Sequence, residues 1–255
     1  MFRQEDILRL QDELTKASVM GILVRENPDI DAMAASLSLY LSLLTFSAGA
    51  KQISVCCKTP PIVELSTLVG IDKVKKTFEG GNDLTISLPY REKTIEKISY
   101  NILEDRINLL IRAGEKGLHF EPTDIVYTRN TASLNLLFAV GINQVSSIEE
   151  FTPQVSVTID NSSSHEQFGT IVLVDPSASS ISELMAYLIS KLSLPIDIDI
   201  AQNLLSGISF ATDNFQRESA SPLSFEMASF LLRHGARRDG LVRKPSRAMF
   251  SEFGN

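Results

Sequence analysis

Residues 19–46 read VMGILVRENPDIDAMAASLSLYLSLLTF, and the order of apolar and polar residues in this stretch decides the fold. The first part, 19–25, is a continuous apolar run closed by Arg25, which is typical of a strand buried on both faces. The last part, 32–46, is rich in small and apolar residues over a length that favours a helix. A buried strand that leads directly into a helix indicates an α/β fold with a parallel sheet.

Two carboxylates, Asp29 and Asp31, lie between this strand and this helix. Acidic side chains placed in this way at a strand end are a common beginning of a divalent-metal site, because such ions prefer oxygen ligands. Arg25 stands at the same strand end, however, and its positive charge opposes a bound cation. The stretch therefore predicts the scaffold of a metal site rather than a complete one.

Strands and helices alternate outward from this stretch, on both sides of a central segment. The sequence predicts a charged amphipathic helix at 1–18, further strands at 51–57, 134–141, 154–160 and 170–175, and further helices at about 61–69, 179–193, 198–209 and 222–235. Pro176 and Ser177 are expected to open the helix at 179–193, with Ser179 or Ser180 as its cap. The predicted fold class is α/β, a mostly parallel sheet flanked by helices and joined by right-handed crossovers.

Residues 83–130 interrupt this alternation with short, partly alternating runs separated by charged turns. Such runs are typical of antiparallel strands and predict a β-meander inserted at about 83–130. Residues 237–255 carry five basic side chains and little apolar periodicity. The predicted organisation is one α/β domain at 1–236 with that insertion, followed by a flexible basic tail at 237–255.

Bulk composition narrows the class of function. Of 255 residues, 44% are hydrophobic and 22% charged, as expected of one large soluble α/β domain or two small ones. The net charge of −7 argues against general binding to nucleic acid or to an anionic membrane. No apolar run is expected to span a bilayer, and residues 1–18 lack the apolar core of a signal peptide, so the cytoplasm is the expected location. Cys56 and Cys57 are adjacent in an apolar run, which predicts buried thiols rather than a disulfide or a zinc site.

Three separated segments share a pattern with a known family. They read RENPDIDAMAASLSLYLSL at 25–43, VTIDNSSSHEQFGTIVLVDPSASSISEL at 157–184 and LLSGISFATDNF at 204–215. Their order and spacing resemble the DHH phosphoesterase family, which includes the RecJ-type exonucleases, the family II pyrophosphatases and the oligoribonuclease-like phosphatases. The resemblance covers roughly residues 19–75 and 130–236 and implies the same α/β fold.

Members of this family hold two Mn²⁺ or Mg²⁺ ions between His and Asp ligands, so that a bridging hydroxide attacks phosphorus. By resemblance, Asp29 and Asp31 match two of these ligands, and Asp160 matches a supporting carboxylate. At the other ligand positions, Arg25 replaces a histidine, Gly141 an aspartate, Asn161 and Ser162 two histidines, and Ala211 an aspartate. The resemblance therefore implies no cofactor, or at most one weakly held, hydrated ion.

Arg25 offers a physical explanation for the missing ligands. Carboxylates gathered without a metal repel one another, and at least one would take up a proton at neutral pH. A guanidinium supplies a permanent positive charge and can bridge carboxylates with two hydrogen bonds. We hypothesise that Arg25 pairs with Asp29, Asp31 or Asp160 where the metal would lie; the alternative is an Arg25 that points to solvent.

The residues expected to line the vestigial cleft come from the same motifs. They are Arg25, Asn27, Asp160, Asn161, Ser162, His165 and Asp213, with Asp29 and Asp31 as weak or vestigial metal ligands. Of the three histidines, His165 lies nearest in sequence to Asp160, and we expect it to face solvent from a Ser-rich loop rather than turn into the cleft. Asp213 is expected to stabilise a turn.

The leading functional interpretation is a catalytically degenerate DHH phosphoesterase-like protein, not an enzyme, that binds a nucleotide, another phosphorylated small molecule or a partner protein at this cleft. One alternative is an active phosphoesterase for nucleotides or short oligonucleotides, in which Mn²⁺ or Mg²⁺ is held by Asp29, Asp31, Asp160 and either His165 or Asp213. The other is a structural subunit whose inserted strands form a homo-oligomer or partner interface. The resemblance also implies that the family's C-terminal substrate-binding domain is absent or supplied by another chain.

Overall fold

The computed structural model describes residues 2–78, 84–129 and 133–238. The chain divides into two compact units, the first made of residues 1–79 and 133–255 and the second of residues 80–132. Most of the basic tail predicted at 237–255 therefore lies outside the described residues.

The regular elements follow the predicted alternation, and their bounds in chain order are as follows. The strands of the described residues are β1 Val19–Val24, β2 Gln52–Cys57, β3 Val74–Lys75, β4 Leu84–Ser87, β5 Ile95–Leu103, β6 Arg106–Ala113, β7 Val126–Arg129, β8 Leu136–Val140, β9 Val155–Asp160 and β10 Ile171–Val174. The α-helices are α1 Gln4–Lys16, α2 Ile30–Ser47, α3 Ile181–Lys191, α4 Ile198–Ala211 and α5 Pro222–Arg233.

The first unit is built on a six-stranded sheet in the order β10-β9-β8-β1-β2-β3. Every neighbouring pair in it is parallel. The central strands β1 and β8 are buried along almost their whole length, which explains their continuous apolar sequences, since a parallel sheet covered by helices has no polar face. The predicted α/β fold class is confirmed.

Helix α2 is the core helix of this unit and packs against α3, α4 and the sheet. By length and composition it could cross a membrane, so the expectation that no apolar segment is long enough was wrong. However, 78% of α2 is buried among other parts of the protein, as in the core helix of a soluble domain. The charged helix α1 turns Ile7, Leu10 and Leu14 into the same core, as its amphipathic pattern predicts.

Side-chain caps fix where the helices begin. Asp29 caps α2 by accepting a hydrogen bond from the Ala32 amide, and Ser180 caps α3 by accepting one from the Glu183 amide. Pro176 and Ser177 do not open α3. They form a preceding turn in which the Asp175 carboxylate accepts hydrogen bonds from the amide and hydroxyl of Ser177.

The prediction of a helix at 61–69 was wrong, because only one 3₁₀ turn, Val63–Leu65, forms there. Ile62, which follows Pro60 and Pro61, has an extended backbone with φ −81° and ψ 163°, so no helix begins at the prolines. The chain instead reaches the short edge strand β3 through turns.

The second unit contains two separate two-stranded antiparallel sheets. Strand β4 pairs with β7, and the long strands β5 and β6 form a hairpin between them in sequence. The predicted antiparallel insertion is therefore present, but it is not a meander, in which each strand would pair with the next. The strong local alternation in β5 and β6 favours their own pairing, which leaves β4 to pair with a strand farther along the chain.

Candidate functional site

The candidate site lies where the order of the strands reverses. From β1 the chain adds β2 and β3 on one side, and it then adds β8, β9 and β10 on the other. In open parallel sheets, ligands bind in the crevice outside the carboxyl ends of the strands at such a point. A cavity of about 430 Å³ opens at this edge in the first unit, and its polar lining comes from Arg25, Glu26, Lys58, Asn143, Gln144, Ser147, Asp160, Asn161 and Ser162.

A second cavity of about 320 Å³ lies beside the first. It is lined by Arg25, Asp29, Asp31, Asn161, Ser179, Ile181, Phe210, Ala211 and Arg217. Arg25 and Asn161 line both cavities, so these two side chains stand between them. The cleft is therefore one polar region in two parts, with a guanidinium at the division.

Of the three carboxylates hypothesised to pair with Arg25, the structure pairs it with Asp29. Its Nη2 lies 2.7 Å from Asp29 Oδ2, and both side chains are a little over one-third exposed. At this exposure the pair contributes on the order of 0.5 kcal/mol to stability. The Nε of Arg25 is buried and has no hydrogen-bond partner among the described residues.

The Asp29 carboxylate contacts both the start of α2 and the guanidinium of Arg25. Its Oδ1 accepts the hydrogen bond from the Ala32 amide at 2.9 Å, while Oδ2 faces Arg25. A carboxylate at a helix N-terminus is favoured by the helix dipole, so the negative charge of Asp29 suits this position. Both of its oxygens are engaged.

Asp31 ties α2 to the start of α3. Its two carboxylate oxygens accept hydrogen bonds from the amides of Ile181 and Ser182, each at 2.8 Å. The side chain is buried, and this burial raises the pKa of Asp31 to about 7, with a further increase from the charge of Asp29 and opposition from the bonds to Ser182 and Ile181. Its carboxylate therefore already serves a structural contact.

Gly141 stands where the family resemblance would place an aspartate, at the end of β8. Its φ is +68°, a left-handed value that favours glycine. A Cβ at this position would lie 3.1 Å from Cδ of Arg25 and 3.0 Å from Cδ1 of Ile181. The aliphatic part of Arg25 therefore fills the space that an aspartate side chain would need.

Asp160 ends β9 and lines the larger cavity. The residue is only 3% exposed, and no donor among the described residues reaches its Oδ2. Asn161 follows it and donates from Nδ2 to the Ala178 carbonyl at 3.1 Å, while the Ser162 and Ser164 hydroxyls are 2.9 Å apart. Asp160 is thus a buried acceptor at the edge of the cavity.

His165 is buried, so the expectation that it faces solvent was wrong. Its ring stacks on Phe168 with centroids 4.8 Å apart, and Nδ1 accepts a hydrogen bond from the Gln167 amide at 2.8 Å. Burial lowers the pKa of His165, although the charges of Asp160 and Glu166 oppose this effect. The ring is not among the residues that line either cavity.

Asn27 and Asp213 lie outside both cavities. Asn27 has a left-handed φ of 48°, and its amide donates to the Thr59 hydroxyl at 2.8 Å. Asp213 is the first of three consecutive residues with left-handed φ, followed by Asn214 and Phe215. The turn interpretation of Asp213 is confirmed, because Asp and Asn tolerate this conformation better than most residues.

Several cleft residues were missed in the sequence. Lys58 follows β2 directly and pairs with Glu150 at 2.5 Å, Asn143 and Gln144 come shortly after β8, and Arg217 follows the turn after α4. The signal that could have found Lys58 and the two amides is their position just beyond a parallel strand, the same rule that points to Arg25.

The cleft does not fit a dinuclear metal centre. Among the described residues, no group of three or more His, Cys, Asp or Glu side chains is placed to hold a metal ion. The carboxylate oxygens of Asp29 and Asp31 already accept hydrogen bonds from helix amides or pair with Arg25. What the arrangement can do is offer cations, amides and one unpaired carboxylate oxygen to a polar ligand.

Comparison with known proteins supports the fold and does not identify a function. No family model matches the chain. Two curated relatives are the Uncharacterized protein MG371 of Mycoplasma genitalium, 28% identical over 152 residues, and its homologue in Mycoplasma pneumoniae, 27% identical over 143 residues. These matches cover 58% and 53% of this chain, and the chain spans less than half the length of both relatives, 44% and 43%.

Among solved structures, an exopolyphosphatase-related protein from Bacteroides fragilis superimposes with a TM-score of 0.65 at 20% identity. That match covers 94% of this chain and 59% of the other. A putative family II inorganic pyrophosphatase from Methanococcus jannaschii gives a TM-score of 0.45 at 16% identity, covering 84% of this chain and 56% of the other. The first match supports the predicted α/β fold.

Proposed function

We propose that this protein is a non-hydrolytic DHH-type protein of the cytoplasm that binds a nucleotide or another phosphorylated small molecule in the cleft beyond β1, β8 and β9. The observation that carries the proposal is the position of Arg25. Its guanidinium stands between the two cavities, is held by Asp29, and keeps a buried Nε free of any partner among the described residues.

The lining chemistry supports a small polar ligand that carries a phosphate group. A guanidinium binds phosphate through paired hydrogen bonds. The larger cavity also contains Lys58, which pairs with Glu150, and the carboxylates of Glu26 and Asp160, so Arg25 is the residue on which phosphate binding depends. The amides of Asn143, Gln144 and Asn161 can both donate and accept. A volume of about 430 Å³ lies in the range of small-molecule sites.

Asp160 suggests what else the ligand carries. Leaving a buried carboxylate oxygen unpaired is costly, so a ligand that supplies a donor there would be favoured. A nucleotide could place its phosphate near Arg25 and a donor near Asp160, because its sugar has hydroxyl groups and its base has amino groups. This combination also explains why a cation and a carboxylate are kept at one strand edge.

The absence of hydrolysis is proposed from the donor set of the described residues. Two-metal phosphoryl transfer requires several ligands around both ions, and the described residues bring no such group together. Arg25 and Gly141 occupy two of the positions that ligands would need, and they fit each other sterically.

Calorimetric titration of the full chain with nucleoside mono-, di- and triphosphates and with inorganic phosphate tests the proposal. We expect saturable binding of at least one nucleotide and a loss of roughly tenfold or more in affinity for Arg25→Ala, because one charge-assisted bond contributes about 1.5–3 kcal/mol. Arg91→Ala, which removes an exposed arginine of the second unit, is the matched control and should bind normally.

A hydrolysis assay with Mn²⁺ and a generic phosphodiester separates this proposal from an active phosphoesterase. We expect no turnover above the buffer rate. Metal-dependent hydrolysis that is lost in Asp29→Ala would overturn the non-hydrolytic assignment, and failure of every phosphorylated compound to bind would overturn the ligand class.

A further inference from the structure

The β5–β6 hairpin of the second unit has one wholly apolar face. Residues directly opposite each other on antiparallel strands point to the same side, so the register defines the two faces. We call the first one the hairpin face, and it consists of the cross-strand pairs Ile98–Ile111, Tyr100–Leu109 and Ile102–Ile107. The reverse side carries Lys97–Arg112, Ser99–Leu110, Asn101–Asn108 and Leu103–Arg106.

The described residues of the second unit do not cover the hairpin face. Tyr100 is 70% exposed, and Ile102 and Ile107 are each 69% exposed. Within 84–129, among the residues whose burial the structure describes, Thr94 is the only buried side chain. A two-stranded hairpin is marginally stable in water unless its apolar face is packed, so this unit lacks the burial that a stable fold requires.

The area of the hairpin face suits a protein interface. Six partly or largely exposed apolar side chains present on the order of 600 Å² per copy, which is the upper end of what monomeric proteins leave exposed. Two such faces packed together would remove about 1,200 Å² from water, the lower bound of a specific interface.

The composition of the hairpin face favours a second copy as the partner. The charged residues Lys97, Arg106 and Arg112 belong to the reverse side, so none of them would be buried when two hairpin faces meet. The apolar face between the ends carries no charge and is self-complementary, as a twofold interface requires.

We propose that this protein forms a homodimer in which two hairpin faces pack against each other around a twofold axis near the Tyr100–Leu109 pair. The residues that line the cleft all belong to the first unit, whereas the hairpin face belongs to the second.

Light scattering coupled to size exclusion, on the full chain across a dilution series, tests the proposal. We expect the wild type to have the mass of a dimer and Leu109→Lys to have half that mass, because a charge would be buried against apolar side chains. Asn108→Lys places the same charge on the next residue of β6, on the reverse face, and should remain dimeric. A monomeric wild type, as expected if another protein covers the face, or a dimeric Leu109→Lys, would overturn the proposal.

Cysteine cross-linking provides a second test that does not depend on a disruptive charge. Near a twofold axis a residue lies close to its own copy, so Leu109→Cys should form a disulfide-linked dimer when treated with diamide. Asn108→Cys is the control and should stay uncross-linked, and the native Cys56 and Cys57 are buried. Equal cross-linking of both variants, or none of Leu109→Cys, contradicts the assigned face.

Discussion

The side chain of Arg25 fits sterically against Gly141 at the ends of β1 and β8. The arginine stem needs the space above a residue without a side chain, and the left-handed backbone at Gly141 independently favours glycine. An aspartate at 141 would need both the backbone at this position and the placement of the Arg25 stem to change. At the scale of single residues, the two positions therefore depend on each other sterically.

A comparison of two glycine substitutions tests the steric part of this argument. Gly49 also has a left-handed φ, of 80°, but a Cβ there would meet nothing within 4 Å. We expect Gly49→Ala to lower the free energy of unfolding by about 1 kcal/mol and Gly141→Ala by about 2–3 kcal/mol, because only the second also meets Arg25 and Ile181. Urea denaturation measures both, and Arg25→Ala should recover part of the extra cost. Equal costs at the two glycines would contradict the pairing.

Asp31 predicts a dependence of stability on pH. Because the pKa of the folded state is raised to about 7 from the ordinary 3.8, the folded protein holds this proton more tightly than the unfolded chain does. The contribution of Asp31 to stability is therefore complete below about pH 4 and is lost as pH rises to about 7. Asp31→Asn should consequently cost about 2 kcal/mol less at pH 8 than at pH 5. Urea midpoints at the two pH values measure the difference.

Asp199→Asn is the matched control for this experiment, because it makes the same chemical change at an exposed position in the first turn of α4. Its cost should be the same at both pH values. An Asp31→Asn cost that is equal at pH 5 and pH 8, or larger at pH 8, would show that the amides of α3 keep the carboxylate charged.

At the scale of elements, Glu183 joins the starts of α3 and α5. Its buried carboxylate accepts hydrogen bonds from the amide and hydroxyl of Ser179, from the Ser180 hydroxyl and from the Ser221 hydroxyl. Ser221 in turn caps α5. Ser179, Ser180 and Ser221 are therefore committed to hydrogen bonds at the starts of these helices.

Removing this carboxylate should destabilise the first unit. We expect Glu183→Ala to lower the free energy of unfolding by about 3 kcal/mol, because several buried donors lose their acceptor, and Glu183→Gln by about half as much, because one acceptor remains. Glu226→Ala, at an exposed position of α5, should change it by less than about 0.5 kcal/mol. Thermal and urea denaturation measure the stability of the three variants. A Glu183→Ala variant with unchanged stability would disprove the role of Glu183 in connecting the two helices.

The long helices and every strand of the parallel sheet except β3 could be predicted from sequence, because each is specified by local apolar periodicity. The two-residue strand β3 is too short to show such a pattern. The strand at 154–160 and the helix at 198–209 agree with β9 and α4 to within a few residues. The contact from Asp31 to the amides of Ile181 and Ser182 could not be predicted, since it joins positions far apart in the chain. Burial of His165 depends likewise on stacking against Phe168 in a loop without periodicity.

At the scale of the whole molecule, the residues proposed to bind a ligand and those proposed to self-associate belong to different units. The lining of both cleft cavities comes from the first unit alone, and the hairpin face from the second. The cleft residues were expected from the family resemblance, and the rule for parallel strands points to a crevice at the same edge. The sequence did not predict how β4 to β7 pair, because several antiparallel pairings fit the same short alternating runs.

The two ends of the insertion lie close together in the first unit, which makes its removal a direct test of this separation. Phe78, just before the second unit, and Leu134, just after it, are both buried, and a Cβ on Gly21 would meet both at about 3 Å. A short Gly/Ser linker in place of residues 80–132 therefore spans a small gap and costs little chain entropy. We expect cooperative unfolding with a Tm within roughly 5 °C of the full chain, unchanged nucleotide affinity and a monomeric mass. Calorimetry and light scattering measure these properties, and a version that also removes Phe78 and Leu134 should melt much earlier, because the core over Gly21 would be opened. Loss of cooperative unfolding in the first version would mean that the first unit depends on the second for its fold.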